Sequence, residues 1–190
     1  AASRASVAAR GVPYKPSPSA WRWRRAARAH AVPRASTPRP MASQQGEWTT
    51  ETAGGCPKHP SWAANPQFQI FPTVEGASYT LLLQQHVPAP YHAIGFWLMQ
   101  ADNSSDRKVT LSKSHMVTKT KYKAAGKVSH TVELPLRPGG LPYIVVVSTF
   151  EPQLLGRFTL TLTSAEDAAA TLIPLQQPEA TAAAPPAPPR

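Results

Sequence analysis

Short segments in which hydrophobic and polar residues alternate recur along the middle of the chain. The clearest is Arg157–Thr163, which reads RFTLTLT and alternates strictly. A period of two places every second side chain on one face of a β-strand. Val128–Leu136 repeats this pattern, and Tyr143–Phe150 is rich in the β-branched residues that strands favour.

Nine segments fit a strand by these criteria. They are Gly46–Glu51, Gln67–Val74, Tyr79–Gln85, Ile94–Gln100, Lys108–Lys113, Val128–Leu136, Tyr143–Phe150, Arg157–Thr163 and Ala170–Leu175. Their spacing of roughly 10–15 residues, with turn residues between them, predicts an all-β, antiparallel two-sheet β-sandwich. No stripe with a helical period interrupts the series, so an α/β fold is not expected. The aromatic residues predicted for the core are Trp48, Phe68, Phe96, Phe150 and Phe158.

Composition divides the 190 residues into three parts. Residues 1–41 hold nine Lys and Arg and no acidic residue, residues 42–175 carry the strand pattern, and residues 176–190 are rich in Pro and Ala. Residues 42–190 contain 11 basic and 10 acidic residues. The net charge of +10 therefore belongs almost entirely to residues 1–41, which we call the head. The nearly neutral remainder does not indicate a specific nucleic-acid-binding domain. Both ends are expected to be disordered, the tail because it has no apolar face to bury.

The basic head allows three interpretations. Its Arg- and Ser-rich composition is typical of an organelle-targeting segment. It also suits a basic arm that binds a membrane surface or nucleic acid, with Trp21 and Trp23 as anchors. Thirdly, it is upstream sequence that is not part of the native protein, with Met41 as the natural start. We expect an intracellular, cytoplasmic protein unless the head directs import into an organelle.

Cys56 is the single cysteine, which excludes an intrachain disulfide and a multi-cysteine zinc site. As a nucleophile it would need a neighbouring histidine and a helix that lowers its pKa. The histidines considered are His59, His86, His92 and His130. Pro57 and Pro60 make a helix starting at Cys56 improbable, and no second ligand pair matches Cys56 and His59 as a metal site. We therefore expect a buried structural thiol, with no catalytic residue in this chain.

Asp102 and Asp106 share one polar loop and are the candidate calcium ligands. Calcium takes six to eight oxygen ligands, commonly from several carboxylates. Asp167 is the only other aspartate. Calcium is therefore a weak prediction beside a solvated turn, and no other cofactor is predicted.

A basic stretch from residue 107 to residue 127 contains no acidic residue. Within it, Lys119, Lys121 and Lys123 alternate, so on an extended strand they point the same way. Such a row can attract anionic lipid by about 1 kcal/mol per lysine. Lys113 and Lys127 are further candidates for this contact. The alternative is a solubilising face, or a sheet edge protected against strand addition.

Three stretches carry motifs in a fixed order. GEWT and TAGGC precede NPQF within residues 46–68, IGF occupies residues 94–96, and YIVVVSTFEP precedes GRFTL within residues 143–160. In this combination the chain resembles, over residues 46–163, the third domain of calpain large subunits, a C2-like β-sandwich. In the family, the AGGC cysteine lies outside the catalytic core.

The resemblance implies a non-catalytic regulatory or binding module. In calpains this domain follows a papain-like protease core and couples calcium, lipid or partner binding to protease activity. Residues 1–41 contain no Cys and no Asn, so they cannot supply a Cys-His-Asn triad, and the acidic loop of conventional calpains is missing. The implied partners are a protein, such as a calpain protease core, and an anionic membrane surface.

Two other functions remain open. The chain can be a fragment or subunit of a calcium-dependent cysteine endopeptidase whose catalytic core lies elsewhere. It can also be a structural assembly protein that uses the sandwich edges and the two tails.

Overall fold

The computed structural model describes residues 39–103, 107–164 and 168–176. This part contains ten strands and, as its only helical segments, the 3-10 turns Pro60–Ala64 and Pro138–Gly140. The strands are β1 (Arg39–Trp48), β2 (Gln67–Pro72), β3 (Ala77–Gln85), β4 (Ala93–Gln100), β5 (Met116–Lys119), β6 (Lys123–Ala124), β7 (Lys127–Leu134), β8 (Tyr143–Thr149), β9 (Gly156–Ser164) and β10 (Ala170–Leu175). The predicted all-β fold is confirmed.

The strands form two antiparallel sheets. The first has the order β1-β9-β3-β7, and the second has the order β10-β2-β8-β4-β5, with β6 also paired to β4. The inner faces of the two sheets pack together in one large apolar core. This is the antiparallel two-sheet β-sandwich that the alternating pattern predicts.

An aromatic cluster occupies the centre of this core. The ring of Phe158 on β9 lies 4.5 Å from that of Trp48 and 6.1 Å from that of Phe68, measured between centroids. The indole N–H of Trp48 donates to the carbonyl of Val147 on the opposite sheet (3.3 Å). Gly46 makes room for this cluster, because a Cβ there would lie 2.3 Å from the Phe158 ring. Trp48, Phe68 and Phe158 are therefore core residues, as predicted, and Phe96 is fully buried as well.

The central strands of the second sheet, β4 and β8, are buried on both faces. A smaller apolar cluster lies on the outer face of this sheet and consists of Trp62, Met99, Ala101, Ile144 and Val146. Arg107 joins two segments at this face by donating to the carbonyls of Ala63 and Asn65 and to those of Leu175 and Gln176. Burial on both sides explains why all seven residues of β8 are buried and why its sequence does not alternate.

The predicted strand Lys108–Lys113 is wrong, because these residues form a loop and the next strand begins at Met116. The backbone N–H of Lys108 donates to the side chain of Gln67 (2.8 Å) and not to a neighbouring strand. The apolar residues that suggested the strand, Val109 and Leu111, are 70% and 37% exposed. Alternation over a segment this short is therefore not sufficient to predict a strand.

Phe150 is not part of the core, although we predicted it there. β8 ends at Thr149, and the alternation of the strand turns the next side chain to the outer face. Phe150 is half-buried and contacts the ring of Tyr122 edge to face, at 5.4 Å between centroids. β1 begins at Arg39, three residues before the expected start of the sandwich at residue 42. The rest of the predicted head and most of the tail lie outside the described residues.

Replacing Phe158 by Ala should destabilise the protein by about 3–5 kcal/mol, because the change leaves a cavity between the sheets. Phe150→Ala is the matched control and should cost less than about 2 kcal/mol, since that ring is half-exposed. Urea unfolding of both variants measures the difference. Equal losses would contradict the central position of Phe158.

Candidate anion-binding groove

A groove of about 520 Å³ lies on one side of the sandwich, between β7 and the chain segment that joins β5 to β6. It is lined by Leu82, Lys119, Thr120, Lys121, Lys123, Lys127, Val128, Ser129 and His130. Four of these nine residues are lysines. We call it the lysine groove. Of the five lysines predicted to bind lipid, Lys113 is the one that does not line it.

The residues between the lysines, Thr120 and Tyr122, contact the second sheet. Thr120 turns towards β4, where its hydroxyl accepts from the backbone N–H of Phe96 (2.9 Å). Tyr122 also turns inward, and its hydroxyl lies 2.6 Å from the Ser148 hydroxyl and accepts from the indole N–H of Trp97 (3.2 Å). Lys119 ends β5, Lys121 lies in the connecting segment and Lys123 begins β6, so the three lysines do not lie on one strand as predicted. All three are nevertheless exposed.

Gly95 lets this segment lie close to β4. A Cβ at position 95 would be 3.0 Å from the Thr120 hydroxyl and 3.1 Å from the Tyr122 ring. Burial raises the pKa of Tyr122 above its ordinary value, so its hydroxyl stays neutral at physiological pH. Gly95 and Tyr122 together hold the segment between β5 and β6, which contains Lys121, against the second sheet.

The two sheets meet at the groove through one side-chain hydrogen bond. His130 Nε2 on β7 lies 2.9 Å from the Thr118 hydroxyl on β5. At the opposite side of the sandwich the Gln44 amide of β1 donates to the Leu172 carbonyl of β10 (3.0 Å). The groove therefore occupies the side where β7 and β5 are both terminal strands of their sheets.

The groove carries positive charge that the described part of the chain does not neutralise. Lys119 Nζ lies 4.7 Å from the centre of the Trp97 ring, a cation–π contact that leaves its charge in place. Within residues 39–103, 107–164 and 168–176, no carboxylate oxygen lies within 4.0 Å of any of the four ammonium groups. Such a cluster attracts an anionic surface or ligand.

Asp102, the first calcium candidate, is engaged by Lys108 and His115 of the same loop. One carboxylate oxygen lies 2.5 Å from Lys108 Nζ and the other 2.9 Å from His115 Nδ1. The hydrogen bond from Lys108 holds the pKa of Asp102 below its ordinary value of 3.8. The second candidate, Asp106, lies outside the described residues, as does Asp167. No group of three or more metal-ligating side chains occurs among the residues that are described.

Cys56 is buried, as expected for a structural thiol, with 2% of its surface exposed. It lies in a turn, its N–H donates to the Phe150 carbonyl (3.0 Å), and no α-helix starts there. His59 is paired with Glu151 at 3.5 Å. In the described ranges no helix is long and apolar enough to cross a bilayer.

Comparison with known proteins decides the family. Residues 44–163 match the family described as calpain large subunit, domain III. The chain belongs to the calpain domain III family. This match confirms the resemblance seen in the motifs, and the matched part is a non-protease domain of calpains.

Three relatives illustrate where this domain occurs. The chain is 32% identical over 162 residues to calpain-10 of Macaca fascicularis, and 31% identical over 122 residues to the calpain-like protease palB/RIM13 of Aspergillus oryzae. It is 28% identical over 126 residues to serine/threonine-protein kinase 4 homolog B of Dictyostelium discoideum. These alignments cover 75%, 63% and 64% of the chain. They cover 23%, 13% and 11% of the respective relatives, so the chain spans less than a quarter of each.

Sequence reasoning found the lysines of the groove but missed the residues that hold their segment against the second sheet. Tyr122 lies between two lysines, and nothing in its immediate neighbours indicates that it packs on β4. Gly95 was noted only within the IGF motif. An isolated glycine inside a strand is a signal of close approach by another segment, and this signal could have indicated the contact.

Asp102→Asn should remove a pH-dependent contribution to stability. Because the folded-state pKa of Asp102 is lowered, its contribution is complete above pH 3.8 and is lost as the pH falls below that value. The carboxylate is 56% exposed, so the contribution should be less than about 1 kcal/mol. Thermal unfolding of parent and variant between pH 7 and pH 2 measures it. A stability difference that stays constant over this range would show that the loss comes from packing instead.

Proposed function

We propose that this chain is a non-catalytic regulatory module of a calpain-like protein, and that its lysine groove contacts anionic lipid. The observation that carries the lipid contact is the alignment of Lys119, Lys121, Lys123 and Lys127 around one groove. No described carboxylate neutralises them within 4.0 Å. Anionic lipids are concentrated in the cytoplasmic leaflet, which fits the expected intracellular location.

The names of the relatives support a binding module without chemistry of its own. Two of the relatives are named as a calpain or a calpain-like protease, whereas a third is named as a protein kinase. A segment shared by proteins with such different activities is more readily explained by binding than by catalysis. The buried thiol of Cys56 supports the same interpretation, because a nucleophile must be accessible to its substrate.

The electrostatic attraction is modest. Lys119, Lys121 and Lys123 together contribute roughly 3 kcal/mol near an anionic leaflet. The contact is therefore weak and reversible unless a second feature adds to it. It also weakens with salt, since the Debye length falls from about 10 Å at 0.1 M to about 3 Å at 1 M ionic strength.

Vesicle co-sedimentation tests the lipid contact. Residues 35–190, the structural unit that contains all ten strands, should bind phosphatidylserine vesicles at low salt and release them at high salt. Starting at residue 35 leaves out most of the basic head, which would bind such vesicles by itself. Binding should need little calcium, because Asp102 is held by Lys108 and His115.

The triple variant K119E/K121E/K123E should lose this binding. The control is the triple variant K58E/K113E/R157E, whose substitutions all lie outside the groove. It changes the net charge by the same amount as the groove variant. This control should retain more of the binding. If the groove variant binds as well as the parent, the three lysines are a solvated face or a protected edge, and the lipid contact is refuted.

The isolated chain should hydrolyse no peptide bond. A casein assay with and without calcium measures this, and activity that disappears in Cys56→Ser would overturn the non-catalytic assignment. Cys56→Ala should change stability alone, by about 1–2 kcal/mol, because the thiol is buried.

A further inference from the structure

A group of exposed apolar residues lies at one end of the sandwich. Tyr91, on the loop between β3 and β4, is 45% exposed, and Leu155, on the loop between β8 and β9, is 47% exposed. The residues Pro88, Ala89 and Pro90 that precede Tyr91 are also exposed. Clustered exposed apolar residues commonly mark a contact with another molecule or with a membrane. We call these five residues the apolar tip.

Specific contacts join the loops of the apolar tip. His92 Nε2 lies 3.2 Å from the Leu155 carbonyl oxygen, which connects the first loop to the second. The side-chain amide of Gln85 donates to the carbonyls of His92 and Ala125, both at 2.8 Å, and so connects the first loop to the turn between β6 and β7. The tip is therefore one surface supported by three loops.

The apolar tip borders the lysine groove. Tyr91 lies over Gly126, where a Cβ would be 3.3 Å from the tyrosine ring. The next residue, Lys127, lines both the lysine groove and a smaller groove of about 340 Å³ that Tyr91 also lines. Glu151, the only acidic residue of the three loops, is paired with His59 at 3.5 Å. The apolar tip and the lysine groove are therefore adjacent, and none of the described contacts places an acidic residue between them.

We propose that the apolar tip inserts into the interfacial region of an anionic bilayer while the lysine groove holds the headgroups above it. This inference rests on the lipid contact proposed above and adds the second, apolar component that a stable attachment needs. Tyrosine is favoured at the membrane–water interface because its ring is apolar and its hydroxyl remains hydrated. Pro88 and Pro90 have no backbone N–H, which lowers the cost of bringing this loop into a less polar environment.

Insertion can be measured with an environment-sensitive fluorophore on the full chain. Leu155→Cys places the label on the tip, and Val74→Cys places it on the loop between β2 and β3, at the opposite end of the strands. The two positions are matched in exposure, 47% for Leu155 and 44% for Val74. The unmodified chain measures any labelling of the buried Cys56. With phosphatidylserine-containing vesicles, the label at position 155 should shift to shorter wavelength and brighten several-fold. The label at position 74 should not change.

A double variant tests the contribution of the apolar side chains. Tyr91→Ser with Leu155→Ser should weaken vesicle binding by about tenfold, because two half-exposed apolar side chains no longer enter the interface. The loss should persist at high salt, whereas the K119E/K121E/K123E variant should differ from the parent mainly at low salt. Both substituted residues are exposed, and the unfolding midpoint of the double variant confirms that the fold is retained.

The outcomes separate this inference from the function on which it rests. If vesicles bind through the lysines but the label at position 155 does not respond, insertion is refuted and the electrostatic contact stands. If reversing the lysine charges has no effect and the label is silent, both are refuted. A response at position 155 that equals the response at position 74 also overturns insertion, because it reports general adsorption.

Discussion

The packing of Phe158 between the two sheets is the interaction on which the rest of the structure depends. Its ring contacts Trp48 and Phe68, and Trp48 reaches across the core to a carbonyl of β8. The cluster therefore joins β1 and β9 of one sheet to β2 and β8 of the other. The absence of a side chain at Gly46 is part of the same arrangement, since the Phe158 ring occupies that space.

Burial of the central strands β4 and β8 on both faces links this core to the candidate site. Because the outer face of β4 is also covered, a chain segment can pack on it without forming a complete strand. Tyr122 packs on the outer face of β4 and β8 through its contacts with Trp97 and Ser148, and the missing side chain of Gly95 leaves room for its ring. The lysines on either side of Tyr122 consequently lie on the surface. None of the described carboxylates is within 4.0 Å of their ammonium groups.

This arrangement separates the residues that stabilise the fold from those of the proposed binding surfaces. The residues that hold the sandwich together are apolar and central, whereas the lysine groove and the apolar tip lie on one side and one end of it. Substitutions at exposed lysines or at Tyr91 and Leu155 should therefore have little effect on folding, so they test the proposed binding by itself. A stable scaffold that carries exposed surfaces on its loops and edge strands is well suited to a module that occurs in relatives named as proteases and as a kinase.

The sequence by itself determined the fold class, most of the strands and the family. Alternation is a local property, so Arg157–Thr163 and Val128–Leu136 show it without knowledge of the fold, and the motifs around AGGC, NPQF and STFEP are specific in combination.

Only the tertiary structure decided which residues meet. Lys108–Lys113 alternates like a strand, but it has no neighbouring strand to pair with, and strand formation requires one. Phe150 is apolar and adjoins a buried strand, yet the end of β8 places it outside the core. Tyr91 and Leu155 come together on loops far apart in sequence, and Lys119 and Lys127 come together from strands of different sheets. Such contacts depend on how the sheets stack, which a local pattern does not contain.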